Sequence, residues 1–174
     1  PGAFNVTNAA AAAIVALECG ISPKVIEDAL YNFGGIKRRL ETVGKHLGRP
    51  VIYDYAHHPT EVRASINTVR LMNNEEVTVI FKPHTYTRTQ HFWREFRAAL
   101  ELADYIILTD IFPARENPIP GVTAENLTKA IGSKAIYCKD SEVEEIVDLY
   151  THGSILVMGA GDLADIKNRL IRVE

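Results

Sequence analysis

The chain has 174 residues, 47% hydrophobic and 24% charged, which is typical of one globular domain with at most part of another and excludes a disordered tail or a large multidomain assembly. Its 19 basic and 22 acidic residues give a formal net charge of −3, so no overall positive field attracts nucleic acid or anionic lipid. No run is long and apolar enough for a membrane span, and Cys19 and Cys138 lie far apart in sequence, which predicts a cytoplasmic protein with two unpaired thiols.

Two helices are predicted first. Residues 5–19 form an alanine-rich run, with Asn5 available as a cap and Gly20 as the stop. A second apolar stripe begins at Pro23, a favourable first-turn residue, and ends at Gly34-Gly35. The double glycine removes the side-chain restraint on the backbone, so it predicts a hinge or a domain boundary. Because the chain opens at Pro1 without an initiator methionine, we expect it to be a piece of a longer protein.

Short β-rich apolar runs then alternate with helical stripes. The predicted strands are Leu40–Val43, Val51–Tyr53, Val77–Phe81, Tyr105–Leu108, Ala135–Tyr137 and Ile155–Met158. The predicted helices are residues 59–72, 87–102, 123–131, 141–150 and 162–171. In the second of these, the aromatic side chains are expected to pack in the core and not to stack on bases: Phe92, Trp93 and Phe96. The alternation predicts an α/β fold, with a mostly parallel, doubly wound, Rossmann-like sheet and helices on both faces.

Polar side chains gather directly after the predicted strands. In sheets of this kind, ligands bind beyond the carboxyl ends of the strands. The second and third strands are followed by DYAHHPT at residues 54–60 and KPHTYTRT at residues 82–89. The other strands are followed by Asp110, Arg115, Lys139, Asp140 and a GAGD turn at residues 159–162. A carboxylate, imidazoles and an arginine at one edge suit an anionic substrate, because arginine can bind a carboxylate through two hydrogen bonds.

These polar residues also have structural interpretations. Asp54 could satisfy loop amides or cap the helix that follows, and His58 suits a position beside that cap. The basic run at residues 37–39 is typical of a solvated linker. A zinc site is disfavoured, because the chain has neither a His-Glu-x-x-His helix nor a cysteine pair. Its histidines would be His57, His58, His84 and His91.

The GAGDLA run at residues 159–164 fits the G-x-G-x-x-A spacing of a dinucleotide-binding turn. The acidic ribose-binding residue expected about 20 residues further on has no place before Glu174. We therefore interpret the run as a tight strand-to-helix turn, with a nicotinamide site as the alternative. A P-loop is absent from the sequence, since Gly44-Lys45 has no glycine five residues earlier and is followed by His46.

Four segments resemble the Mur ligase family, and the resemblance covers essentially the whole chain. YDYAHHPTE at residues 53–61 resembles the family signature D-Y-(A/G)-H-H-P-T-E, and FKPHTYTRT at residues 81–89 resembles its F-Q-P-H-R-Y-T-R-T loop. PGAFNVTNAA at residues 1–10 is similar to the family helix G-x-H-N-x-x-N-A-x-A, and KRRLE at residues 37–41 to its R-R-F-(E/Q) linker. The GAGD turn also resembles the family.

The resemblance implies an ATP- and Mg²⁺-dependent ligase of peptidoglycan synthesis that adds L-alanine to UDP-N-acetylmuramate through an acyl phosphate. A muropeptide (tripeptide) recycling ligase of the same family is the alternative. Residues 1–36 would be the last helices and hinge of the central ATP-binding domain, and residues 37–174 the C-terminal domain. The missing N-terminal and central domains would hold ATP and Mg²⁺ for the most part, so we expect this chain to be inactive alone, with no metal ligand, nucleic acid or membrane partner of its own.

The resemblance also assigns roles to single residues. Asn8 is similar to the asparagine at the adenine, Arg39 to the arginine at the ATP phosphates, and Asp54 to the aspartate at the ribose region. Asp54, His57 and Arg88 are the expected catalytic residues, with His57 orienting the amine or accepting its proton. The residues expected to bind L-alanine and the acyl group are Tyr55, His57, His84 and Arg88.

The sequence departs from the family pattern at three positions. Phe4 stands in place of a histidine, Thr85 in place of the first arginine of the PHRYTR loop, and Tyr53 where a second aspartate is common. Thr85 removes one cation from the expected substrate end. The contacts with the amino-acid substrate are therefore the part of the site where this chain is expected to differ most from the family pattern.

Overall fold

The computed structural model describes residues 2–171, apart from the side chain of Ala3. Pro1 and residues 172–174, which fall at the ends of the two expected domains, lie outside the described residues. The strands are β1 (Glu41–His46), β2 (Arg49–Asp54), β3 (Val77–Phe81), β4 (Tyr105–Leu108), β5 (Ala135–Tyr137) and β6 (Ser154–Met158). The helices are α1 (Ala3–Glu18), α2 (Pro23–Tyr31), α3 (Pro59–Asn73), α4 (Tyr86–His91), α5 (Trp93–Leu100), α6 (Ala124–Ile131), α7 (Val143–Tyr150) and α8 (Ala164–Leu170), with a 3₁₀ turn over Asp140–Glu142.

The six strands form one sheet in the order β1-β2-β6-β3-β4-β5. β1 runs antiparallel to β2, and the other neighbours are parallel, which confirms the prediction of a mostly parallel sheet. Because the crossovers return each parallel strand in the same direction, the loops after β2, β3, β4, β5 and β6 all emerge at one edge. That edge carries the polar segments noted above.

Helices cover both faces of the sheet, as the alternation of elements predicts. α3, α5 and α6 pack on one face in a cluster that includes Val62, Phe96 and Leu127. α7 and α8 pack on the other face around Val147 and Ile166. β3 and β6 are buried along their whole length, which is why four of the five residues in each strand are apolar.

The predicted helix over residues 87–102 is two helices with a break at Phe92. The Phe92 amide donates to the Arg88 carbonyl and closes α4, while the Phe92 carbonyl accepts from the Phe96 amide and opens α5. Phe96 is fully buried, and Phe92 and Trp93 pack against the same core. The prediction of core aromatics is therefore confirmed, although the prediction of one continuous helix is wrong.

Several helix boundaries also differ from the predictions. Asn5 is not a cap, because α1 begins at Ala3 after Gly2 (φ 92°), and the Asn5 amide already donates to the Gly2 carbonyl. α2 ends at Tyr31 and leaves Phe33 outside the helix. α7 begins after a 3₁₀ turn. α8 begins at Ala164 instead of residue 162, since the Asp162 carboxylate accepts from the Ala164 amide.

α1 and α2 lie largely outside the two cores. Large apolar side chains on and beside them are exposed, including Ile14, Val15 and Phe33 at 60–64%. Phe4, by contrast, is half-buried and packs against the larger of the two cores. Within residues 2–171, no helix combines the length and apolar character needed to cross a bilayer.

Candidate active site

Asp54 ends β2 and is almost completely buried, at 3% exposed. Its Oδ2 accepts a hydrogen bond from the Leu40 amide and its Oδ1 one from the Ala56 amide, each at 2.7 Å. Burial raises the pKa of this carboxyl, and the two amides and Arg39 offset the shift only in part. Of its two structural interpretations, Asp54 therefore takes the satisfaction of loop amides, and it ties the segment before β1 to the loop after β2.

The start of α3 is capped by His58 and Glu61. Glu61 Oε2 accepts hydrogen bonds from the amides of His57 and His58 at 3.0 and 3.1 Å, while the His58 side chain accepts from the Thr60 amide. Burial disfavours the charged form of Glu61, but the His57 amide and ring and the His58 amide outweigh it and lower the pKa of the carboxyl. His58 is thus itself the cap, and the capping box fixes the backbone of the neighbouring His57.

His57 directly precedes the capping residue His58, and a hydrogen bond from its ring defines its tautomer. Its Nδ1 is 2.9 Å from the carbonyl oxygen of Tyr55, and a carbonyl only accepts, so Nδ1 carries the hydrogen and the neutral ring offers Nε2 as an acceptor. The ring centroid lies 5.1 Å from that of Tyr55 and 6.1 Å from that of His84. His57 can therefore accept a proton at Nε2.

His84 and Arg88 follow β3 and approach His57. Burial lowers the pKa of the His84 imidazole, and the nearby Arg88 and His57 lower it further. His84 Nδ1 and Arg88 Nη1 are buried and have no hydrogen-bond partner among the described residues. A buried polar atom left unpaired costs roughly 1–3 kcal/mol, and a functional role is one explanation for such atoms.

Two residues beside this cluster, Phe112 and Glu116, were not predicted from the sequence. The Phe112 ring stacks on His84 at 5.5 Å between centroids and an interplanar angle of 21°. Glu116 accepts hydrogen bonds from the amide and hydroxyl of Thr87. Both belong to residues 109–123, a connection between β4 and α6 with no helix or strand of its own. Connections of this length are usually functional or disordered, and that was the available sequence signal.

The linker arginines have different environments. Arg38 is half-buried, with its guanidinium carbon 4.7 Å from the ring centroid of Tyr55 and 5.4 Å from that of Tyr53, so the interpretation as a solvated linker is wrong for this residue. Arg39 is exposed and lies 5.6 Å from the Tyr55 ring. Asn8 is exposed on α1, an element separate from those that form the cluster of His57, His84 and Arg88.

Four other charged residues at this edge form two ion pairs. Lys82 forms an ion pair with Asp140. Asp110 accepts hydrogen bonds from the Tyr137 hydroxyl at 2.5 Å and from Lys139 at 3.0 Å. Lys82 and Lys139 are therefore neutralised by carboxylates, whereas Arg88 lies close to the His84 imidazole.

The GAGD turn is tight because other residues pack against it. A Cβ on Gly159 (φ 153°) would lie 2.8 Å from the Lys82 carbonyl oxygen, and a Cβ on Gly161 would lie 2.8 Å from the Phe112 ring. Internal packing therefore accounts for both glycines, in line with the tight-turn interpretation. Among residues 2–171, no three His, Cys, Asp or Glu side chains gather closely enough to hold a metal ion.

Comparison with known proteins identifies the family. Residues 38–161 match the family described as Mur ligase, glutamate ligase domain. The chain is 44% identical, over 94% of its length, to a UDP-N-acetylmuramate–L-alanine ligase of Paenarthrobacter aurescens and 42% identical, over 94%, to that of Aquifex aeolicus. It spans only 36% of the length of either relative.

Solved structures agree with these sequence matches. The UDP-N-acetylmuramate–alanine ligase of Thermotoga maritima superposes with a TM-score of 0.79 at 28% identity, over 98% of this chain and 37% of that one. A murein peptide ligase of Psychrobacter arcticus superposes with a TM-score of 0.69 at 28% identity, over 97% of this chain and 36% of that one. The chain belongs to the Mur ligase family.

Proposed function

We propose that this chain is the C-terminal part of a cytoplasmic enzyme that uses ATP to join L-alanine to UDP-N-acetylmuramate in peptidoglycan precursor synthesis. The observation that carries the proposal is the meeting of Arg88, His84 and His57, in which two buried nitrogens lack a partner among the described residues. An amino-acid carboxylate supplies the acceptor that Arg88 lacks. The names of the relatives support the same pair of substrates.

Each residue of the cluster has a part in this reaction. Arg88 binds the carboxylate of the incoming alanine, and His84, whose lowered pKa keeps it neutral, donates without adding charge. The amine of alanine must be neutral when it attacks the activated carboxylate, and Nε2 of His57 accepts its proton or orients it. Tyr55 supports the His57 ring through its carbonyl oxygen and its own ring.

This chain offers residues that could bind ATP but none that we assign to Mg²⁺. The exposed guanidinium of Arg39 suits the phosphates of ATP, which when bound supplies the phosphoryl group that activates the carboxylate. Asn8, exposed on α1, is available for the adenine. Asp54 acts mainly through the segments it ties together, since both its oxygens already bind amides. We assign no Mg²⁺ ligand to residues 2–171.

We further propose that residues 1–36 belong with a central ATP-binding domain and that residues 37–174 are the C-terminal domain. Gly34 and Gly35 are exposed with open space around them, whereas the segment from Arg38 onward is fixed. The Arg38 carbonyl accepts from the Tyr55 amide at 2.7 Å, and the Leu40 amide donates to Asp54. The pivot therefore lies before Arg38, and closing the two domains would complete the site.

The test is ligation by the full-length enzyme, because this chain alone is proposed to be inactive. Arg88→Ala should lower kcat/KM for L-alanine by about 10²-fold, as expected when a charged hydrogen bond and its geometry are lost. Arg94→Ala, which removes an exposed arginine of α5, is the matched control and should retain the parent rate. A wild-type rate in Arg88→Ala would refute the assignment.

A recycling ligase for preformed tripeptide is the second candidate, favoured by the likeness to the murein peptide ligase and by Thr85 in place of an arginine. The same assay with tripeptide in place of L-alanine decides between the two. Turnover of tripeptide with none of L-alanine would replace the first candidate with the second.

A further inference from the structure

The loop after β4 runs beside the loop after β3 beyond the end of the sheet. The Phe112 amide donates to the Pro83 carbonyl at 2.8 Å, and the Thr85 amide donates to the Phe112 carbonyl at 2.9 Å. His84 and Phe112 thereby form a parallel bridge. The two loops are thus paired through their backbones at the point where His84 enters the candidate active site.

The segment between His84 and Arg88 holds an unfavourable backbone conformation. Thr85 has a φ of 67°, which a β-branched residue adopts only when its surroundings impose it. Its carbonyl accepts from the Thr89 hydroxyl at 2.7 Å, and its own hydroxyl accepts only a long bond, 3.4 Å, from the Arg88 amide. The Phe112 carbonyl fixes the Thr85 amide from outside α4, and a side-chain contact from the same loop fixes the residues that follow.

Glu116 supplies that contact. A turn closed by the Glu116 amide and the Pro113 carbonyl at 2.9 Å directs the side chain back toward α4. Its Oε2 accepts from the Thr87 amide at 2.9 Å, and its Oε1 accepts from the Thr87 hydroxyl at 2.5 Å. These bonds lower the pKa of the Glu116 carboxyl, so the residue is charged at neutral pH and binds Thr87 through both oxygens.

We propose that Glu116 is a positioning residue that fixes the first turn of α4 and thereby sets the direction of Arg88 toward the amino-acid substrate. The proposal rests on the proposed ligase function for its kinetic consequence. Arg88 follows Thr87 directly, so a turn that loosens at Thr87 displaces the guanidinium. The stacking of Phe112 on His84 fixes the other substrate-binding side chain from the same loop.

The first measurement uses steady-state kinetics of the full-length enzyme. Glu116→Ala should lower kcat/KM for L-alanine by about 10- to 100-fold, the effect of losing a charged hydrogen-bond pair, and should leave KM for ATP unchanged. Glu116→Gln keeps an acceptor for the Thr87 amide and should restore most of the loss. Glu101→Ala is the matched control, because Glu101 forms an exposed pair with Arg97 at the opposite end of α5 and should have the parent kinetics.

The second measurement is amide hydrogen exchange in the 174-residue chain. Glu116→Ala should speed exchange at Thr87 and its neighbours, and Glu101→Ala should not. Unchanged exchange, or faster exchange with unchanged kinetics, overturns the proposal, as does a kinetic loss that Glu116→Gln does not relieve. If the parent enzyme does not ligate L-alanine at all, the proposed function fails, while the exchange result still decides whether Glu116 orders the turn.

Discussion

At the scale of single residues, burial decides which polar groups can react. Cys138 is buried, and burial with the nearby carboxylates of Glu142, Asp140 and Asp110 raises the pKa of its thiol to about 12. A thiol with this pKa stays protonated at neutral pH and is a poor nucleophile. Cys19, by contrast, is exposed after α1.

Alkylation of the folded chain should therefore modify one thiol. We expect iodoacetamide at pH 8 to label Cys19 in the native protein and both cysteines in urea, as counted by intact mass. Cys19→Ser is the control and should give a native protein without label. Rapid labelling of that variant in its native state would contradict the burial of Cys138 beside β5.

The sequence predicts the individual site residues unevenly, for a physical reason. A polar edge that includes His57, His84 and Arg88 was predicted because these residues follow strand ends, and the direction of parallel strands then places them together. Their catalytic and substrate-binding roles came from the resemblance to the Mur ligase family. Glu116 was missed because its partner, Thr87, lies 29 residues away. A contact between two loops depends on their backbone paths, which local sequence patterns do not specify.

At the scale of secondary-structure elements, the strand bounds were predicted well where apolar residues fill the strand and poorly where polar residues continue it. β3, β4 and β5 have the predicted bounds, and β6 begins one residue earlier than predicted. β1 and β2 were predicted over residues 40–43 and 51–53 but extend over 41–46 and 49–54, because their antiparallel pairing continues through Lys45, His46 and Arg49. The break between α4 and α5 was not predicted, because the apolar residues that placed the helix, Phe92, Phe96 and Ala99, all lie at or after it. Hydrogen bonds at Phe92 end one helix and begin the next without any glycine or proline.

The start of α3 offers a test of stability at this scale. Glu61→Ala should lower the free energy of unfolding by about 0.5–2 kcal/mol at pH 7, the usual cost of losing a helix cap. The folded state lowers the pKa of Glu61 below its ordinary 4.5, so the unfolded chain binds the proton more tightly. This stabilisation is therefore present above pH 4.5 and lost as the pH falls through the folded-state pKa.

Urea unfolding at pH 7 and pH 4 measures this effect. The difference between the parent and Glu61→Ala should be smaller at pH 4. Glu125→Ala, which removes an exposed glutamate from the first turn of α6, is the control and should cost less at pH 7. An equal loss for Glu61→Ala at both pH values would contradict the charge-dependent cap.

At the scale of the whole molecule, the chain consists of two unequal parts. Residues 38–171 contain the sheet, both cores and the candidate active site. α1 and α2 contact each other and expose apolar side chains that a folded protein usually covers. This chain spans only 36% of the length of its relative from Paenarthrobacter aurescens. We propose that the remainder of such an enzyme covers these helices.

Removal of residues 1–36 tests this division. Phe4 is the one hydrophobic side chain of described residues 4–36 that packs against the core, and it is only half-buried. Since full burial of phenylalanine contributes about 1.5–3 kcal/mol, the shortened chain should lose about 1 kcal/mol of unfolding free energy and keep a single cooperative urea transition. Phe4→Ala in the 174-residue chain is the matched control and should lose a similar amount. The contradicting result is a shortened chain that fails to fold while Phe4→Ala remains stable. That result would show that α1 and α2 belong to the same folding unit as the sheet, and the proposed boundary at residues 36–37 would be wrong.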